Sequence, residues 1–194
     1  MKNNTRKLTI MAMLAALSVV LVYLIHFPIF PSAAFLEYDP ADIPILIGTF
    51  AFGPVAGLIL TVVASGIQAL TVSAASGIYG FLMHVIATGT IVIVAGCIYK
   101  VNHTMKGAII SLVLGTLAWC AVMLIANHFI TPAFMMVPTA AVDAMLFTVI
   151  LPFNFIKAGA NCLLTFLLYK TVSVHVIKNE KFLEGKTSFE RKTN

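Results

Sequence analysis

The chain has 194 residues, of which 60% are hydrophobic and only 10% charged, whereas a soluble domain carries about 25% charged residues. With a mean hydropathy of +1.02, it has more apolar surface than a one-domain, water-facing fold can hide, so it is read as an integral membrane protein. The net charge of +5 does not point to nucleic acid, because the basic residues lie at the two ends and in one short loop.

The first apolar segment runs from about Leu8 to Phe27. It has no small-residue cleavage site and further membrane segments follow it, so it is read as a crossing and not as a leader. A loop from Pro28 to Pro40 ends in Glu37-Tyr38-Asp39-Pro40-Ala41-Asp42. The second segment, Ile43 to Phe52, is short: ten residues of helix rise about 15 Å, half a hydrocarbon core. Gly53-Pro54 ends it, and the third segment, Val55 to Val72, is rich in Gly, Ala and Ser. After a small-residue loop, Ser73 to Gly77, the fourth segment covers Ile78 to Tyr99. A polar turn, Lys100 to Lys106, precedes the fifth, Gly107 to Asn127. His128 to Val142 reads as a loop because it holds Pro132 and Pro138. The sixth segment covers Asp143 to Tyr169, and the chain is polar from Lys170. The fold class expected is therefore an all-α integral membrane protein, a six-helix bundle over 1–172, with 173–194 a partly disordered cytoplasmic tail. Strands of a membrane barrel would instead alternate over about ten residues.

Charge placement supports six crossings. Lys2, Arg6 and Lys7 precede the first segment, Lys100 and Lys106 separate the fourth from the fifth, and six basic residues follow the last. An even count puts all of these on one side. The opposite loops carry Glu37, Asp39, Asp42 and Asp143 with no Lys or Arg. The positive-inside rule then sets both termini in the cytoplasm of a cell.

Lys157 is the one basic residue outside this pattern. It lies inside the sixth segment, where a charge costs roughly 3 kcal/mol or more and signals function. Asn154 and Asn161 lie three before and four after it, on the same helical face. This stripe can bind a polar small molecule, since Asn offers donors and an acceptor and Lys three donors. The competing reading pairs Lys157 with an internal acid, but the available acids are assigned to the outer rim. Asn161 lies deeper and can serve a neighbouring helix. Asn127, at the end of the fifth segment, either joins the cavity or caps its helix. Asp39 or Asp42 can cap the next helix, or the loop carrying Leu36, Glu37, Tyr38 and Asp39 can lie over the cavity as a lid. Ala12 and Ala16, four apart, give the first segment a small-residue face for close packing or for docking a partner.

Catalytic and metal chemistry find little support. The histidines lack metal-ligand spacing with a carboxylate on a shared face. Cys97, Cys120 and Cys162 have no paired spacing and read as packing residues. There is no phosphate-binding loop, HExxH or GxSxG. No metal, cofactor, nucleic-acid partner or enzymatic activity is expected.

Two stretches, Leu36-Glu37-Tyr38-Asp39-Pro40-Ala41-Asp42-Ile43-Pro44 and Phe50-Ala51-Phe52-Gly53-Pro54-Val55-Ala56-Gly57, resemble the loop and second helix of riboflavin-binding S components of energy-coupling factor (ECF) transporters. Pro152-Phe153-Asn154-Phe155-Ile156-Lys157 resembles their sixth helix, and Ala12 and Ala16 match the AxxxA pattern of the wider superfamily. The likeness covers roughly residues 5 to 172. It implies a six-helix substrate-binding subunit of the bacterial plasma membrane that takes riboflavin as transported ligand. Its implied partners are a membrane coupling subunit and two cytoplasmic ATPases. It further implies that Asn127, Asn154 and Lys157 hydrogen-bond the flavin ring, that Leu36, Glu37, Tyr38 and Asp39 cover it, and that Ala12 and Ala16 form the docking face. Where many relatives have a basic residue and an Asn or His in helix three, this chain reads Ala64-Ser65-Gly66-Ile67-Gln68-Ala69. Rival readings are the same scaffold with another flavin or vitamin, a membrane enzyme using Lys157 or Asp39 and Asp42, and an electron-transfer flavoprotein. Against the enzyme stands the expectation that no acid–base pair lies at matching depth.

Overall fold

Helix α1 (Lys2–Leu24) opens the chain in a computed structural model that describes residues 2–172; the predicted tail at 173–194 lies outside them. The helix stops three residues short of the predicted Phe27. Phe27–Pro28 (β1) instead pairs antiparallel with Glu37–Tyr38 (β2), Phe27 opposite Tyr38. This small ladder, unforeseen in an all-α reading, ties the two ends of the loop together.

Helix α2 (Asp42–Phe52) and helix α3 (Pro54–Leu70) are separated by Gly53 alone. Gly53 has φ 91°, a value that favours glycine. Pro54 follows in the first helical turn, where its missing N–H costs nothing. A Cβ at Gly57 would collide with Thr49 and Val92, so this glycine lets α2, α3 and α4 close together. A 3₁₀ turn at Ala74–Ser76 leads into α4 (Gly77–Val101). Thr104 then caps α5 (Met105–Met135), its hydroxyl accepting the Gly107 N–H at 3.0 Å.

The C-terminal third differs most from expectation. Helix α5 does not end at Asn127 but continues through Pro132 to Met135, and the predicted loop at 128–142 is largely helical. In a membrane, backbone groups left unpaired are so costly that a helix tolerates a proline more readily than an open loop. Helix α6 (Thr139–Met145) and α7 (Leu151–Val172) are joined by a π-helical turn, Leu146–Ile150. Pro152 cannot donate to the carbonyl one turn back, and the wider turn absorbs that fault without breaking the rod.

Four stretches are long and apolar enough to cross a bilayer: Asn4–Leu24, Ala74–Val101, Met105–Met135 and Thr139–Tyr169. At 11 and 17 residues, α2 and α3 are shorter. The core gathers Ile45 and Leu46 of α2, Leu60 of α3, Ile91 and Val92 of α4 and Trp119 of α5. A second cluster, Ala33, Leu36, Val142, Ile150 and Phe153, seats the α1–α2 loop on α6 and α7. Outside this core the surface stays apolar, with Leu8, Tyr23, Val55, Leu70, Ile125 and Phe129 exposed. An apolar exterior around an apolar core, built from helices that satisfy their own backbone, is that of a multi-pass membrane protein.

Candidate functional site

The α1–α2 loop turns inward. Asp39 accepts the Ala41 N–H on its Oδ1 at 3.1 Å, an Asx turn that bends the chain into α2. Neither Asp39 nor Asp42 caps α2 through its side chain, as the sequence suggested. Asp42 is instead buried, accepting from Thr88 Oγ1 at 2.6 Å and Asn161 Nδ2 at 2.7 Å.

Lys157 Nζ donates to Asp39 Oδ2 at 2.6 Å and to the Glu37 carbonyl at 3.2 Å. This corrects the placement of the acids at an outer rim beyond reach of the lysine. An ammonium at this depth needs a counter-charge, and the Asx turn delivers one. It also corrects the expectation that no acid–base pair lies at matching depth. Burial raises the Asp39 carboxyl pKa, but the Lys157 ammonium, His84 and the Ala41 N–H together hold the group below its ordinary 3.8. Asn161 completes the join: its Nδ2 also donates to the Asp39 carbonyl at 3.0 Å, while Tyr38 donates its hydroxyl to Asn161 Oδ1 at 3.0 Å. One face of α7 thus holds the whole turn before α2.

Above this network lies a cavity of about 170 Å³. Of the residues singled out in the sequence, Leu36, Glu37, Asp39, Asn127, Asn154 and Lys157 line it. Tyr38 is not part of the lining and faces Asn161. Ala12 and Ala16 are exposed on α1, away from the cavity, while Met11, Ala15 and Ser18 of the same helix are buried.

The polar groups on the deep wall are partly engaged. Asn154 accepts from Trp119 Nε1 at 2.8 Å and donates to the Ile150 carbonyl at 2.9 Å. Asn127 caps nothing: it lies within α5, donating to the Met123 carbonyl and accepting from Thr131 Oγ1, both at 2.8 Å. Each amide nitrogen has a second hydrogen to offer, and the ammonium a third. The wall therefore presents spare donors in an otherwise apolar setting.

Several lining residues escaped the sequence reading: Ser65 and Gln68 of α3, Tyr79 and His84 of α4, and Trp119 and Phe134 of α5. Tyr79 and Phe134 pair within this lining with ring centroids 5.9 Å apart. Ser65 Oγ lies 2.8 Å from His84 Nδ1. Gln68, a lone amide in an apolar helix and three residues from Ser65, was a signal available in the sequence. The aromatic residues were not, since apolar chains in a membrane bundle face lipid as often as a cavity.

Residues 6–169 match the family described as ECF transporter, substrate-specific component. Riboflavin transporter RibU of Staphylococcus aureus (strain TCH60) is 31% identical, the match covering 89% of this chain and 93% of that protein. Riboflavin transporter FmnP of Bacillus subtilis (strain 168) is also 31% identical, over 79% of this chain and 85% of its own. A solved structure described as the S component of a bacterial ECF transporter superposes with a TM-score of 0.76 at 29% identity, covering 88% of this chain and 96% of that one. The chain belongs to the substrate-specific components of ECF transporters.

Proposed function

We propose that this protein captures riboflavin at the outer face of the cell membrane and hands it to an energising complex, without catalysis of its own. The observation that carries the reading is the deep wall of the cavity. Asn127, Asn154 and Lys157 offer spare donors beside Trp119 and Phe153. A flavin ring is flat and largely apolar, with carbonyls and acceptor nitrogens along one edge. A mostly apolar pocket with a few placed donors is what such a ligand needs. The names of the riboflavin-transporting relatives support the same choice.

The loop bearing Leu36, Glu37, Tyr38 and Asp39 is the lid, and α1–α5 with the α6–α7 rod are six crossings with both termini in the cytoplasm. Charge supports that orientation, since Lys100 and Lys106 fall at the same end of the bundle as Arg6 and Lys7 under this count. The exposed Ala12/Ala16 face of α1 docks a membrane coupling subunit, and two cytoplasmic ATPases supply the energy. Riboflavin is held as cargo and not as a cofactor. Lys157 and Asp39 hold each other and the lid, which supports a structural tie over acid–base chemistry.

Purification from cells grown with riboflavin tests the substrate. A yellow preparation with a flavin spectrum, and a colourless one after vitamin starvation that regains quenching of added riboflavin fluorescence, are the expected results. A colourless protein that leaves riboflavin fluorescence unchanged would overturn the reading.

A further inference from the structure

The polar network beneath the cavity is unbalanced in charge. Asp39 and Asp42 are both buried, and Lys157 is in contact with Asp39 alone of the two. His84 stands beside them on α4. Its Nδ1 faces Ser65 Oγ at 2.8 Å and Thr88 Oγ1 at 3.5 Å. Its Nε2 points at Asp42 Oδ1 from 3.8 Å, too far for a hydrogen bond, and is buried with no hydrogen-bond partner. A buried polar atom left in this way is costly, and here it faces a carboxylate.

The surroundings of His84 say which charge would suit it. Asp42, at the start of α2, is nearest. Asp39 and Glu37 of the loop and Lys157 of α7 line the same cavity as His84, and Tyr38 lies behind them on Asn161. The cavity-lining residues of α3 and α5 are uncharged. Around His84 there are thus two buried carboxylates, one ammonium and the exposed Glu37.

We propose that His84 is a proton-binding site linked to occupancy of the cavity, so that riboflavin binding draws a proton onto it. The proposal rests on the riboflavin reading above. A ligand carbonyl that takes the third hydrogen of the Lys157 ammonium competes with Asp39 for that charge. The two carboxylates then lose part of their compensation, while the closing cavity excludes water and strengthens every remaining charge interaction. A proton on Nε2 would restore that compensation. By reciprocity, a proton on His84 raises riboflavin affinity by the same factor.

Calorimetric titration of riboflavin into the full-length protein, at one pH in buffers of different ionisation heat, counts protons taken up by the unaltered chain. Uptake of a fraction of a proton is expected. Affinity should weaken about fivefold or more between roughly pH 5.5 and 8.5, a typical coupling between linked sites. That slope should vanish in His84→Gln and persist in His128→Gln, whose histidine pairs with Asp143 away from the network. Buffer-independent heats, or an equal slope in His84→Gln, would overturn the linkage while leaving riboflavin as the substrate. Absence of riboflavin binding at every pH would overturn the substrate reading, and the linkage with it.

Discussion

At the residue scale the ion pair of Lys157 and Asp39 has two separable roles. Removing one partner leaves the other charge buried, which costs about 3–5 kcal/mol. Asp39→Asn and Lys157→Met should therefore each lower the detergent melting temperature sharply, whereas the double change should recover much of it. Binding should behave differently, because in the proposed site the ammonium also meets the ligand. Lys157→Met, alone or in the double variant, should weaken riboflavin by about 1–3 kcal/mol, the range for a lost buried polar partner. A double variant that regained full affinity would remove Lys157 from the ligand. Acid should act through the same pair. The Asp39 carboxyl is held below its ordinary value, so its stabilisation is complete above about pH 4 and is lost as pH falls through the lowered value. A melting-temperature profile of Asp39→Asn should be flatter below about pH 4 than that of the unaltered chain.

At the element scale, the loop and α7 act as one unit. Tyr38→Phe deletes the hydrogen bond to Asn161 and keeps the ring contact with Phe27. If that loop is the proposed lid, about 1 kcal/mol of closure should go with it, read in stopped-flow fluorescence as faster riboflavin release. Where α2, α3 and α4 meet, Gly57→Leu should cost about 1–3 kcal/mol or more by overpacking, since even a Cβ has no room against Thr49 and Val92. Expression and melting temperature measure this. The elements also show what a sequence can carry. Gly53-Pro54 marked the α2–α3 break because φ > 0 and a missing N–H are properties of those two residues. Lys157 stood out because no neighbouring sequence explains a charge there. Its pairing with Asp39 did not, because the Asx turn that swings that carboxylate inward is fixed by contacts 118 residues away. Pro132 and Pro138 were read as loop signals by the rules of water-soluble chains. Only the loss of water as a competing partner keeps α5 helical to Met135.

At the scale of the whole molecule, the cavity and the Ala12/Ala16 face lie on different parts of the bundle. Ala12→Leu should leave riboflavin affinity in detergent unchanged and reduce uptake by whole cells; normal uptake would remove the docking role. Composition gave the membrane class and the helical character of the chain, with four stretches long enough to cross and α2 and α3 shorter. The arrangement of those stretches around a cavity depends on which apolar faces meet, and nearly all faces here are apolar. The cavity lining was accordingly legible at its polar members Asn127, Asn154 and Lys157 and obscure at Tyr79, Trp119 and Phe134.

The braced state of Asn127 and Asn154 bears on speed. Each already has its carbonyl and one amide hydrogen tied down by Trp119, Thr131 or its own helix. In the proposed site these side chains need no search for the right pose when a guest arrives, and little freedom remains to be lost. Association should then be limited by how often the vitamin enters the cavity. A vitamin present outside at trace levels would be trapped on nearly every successful entry.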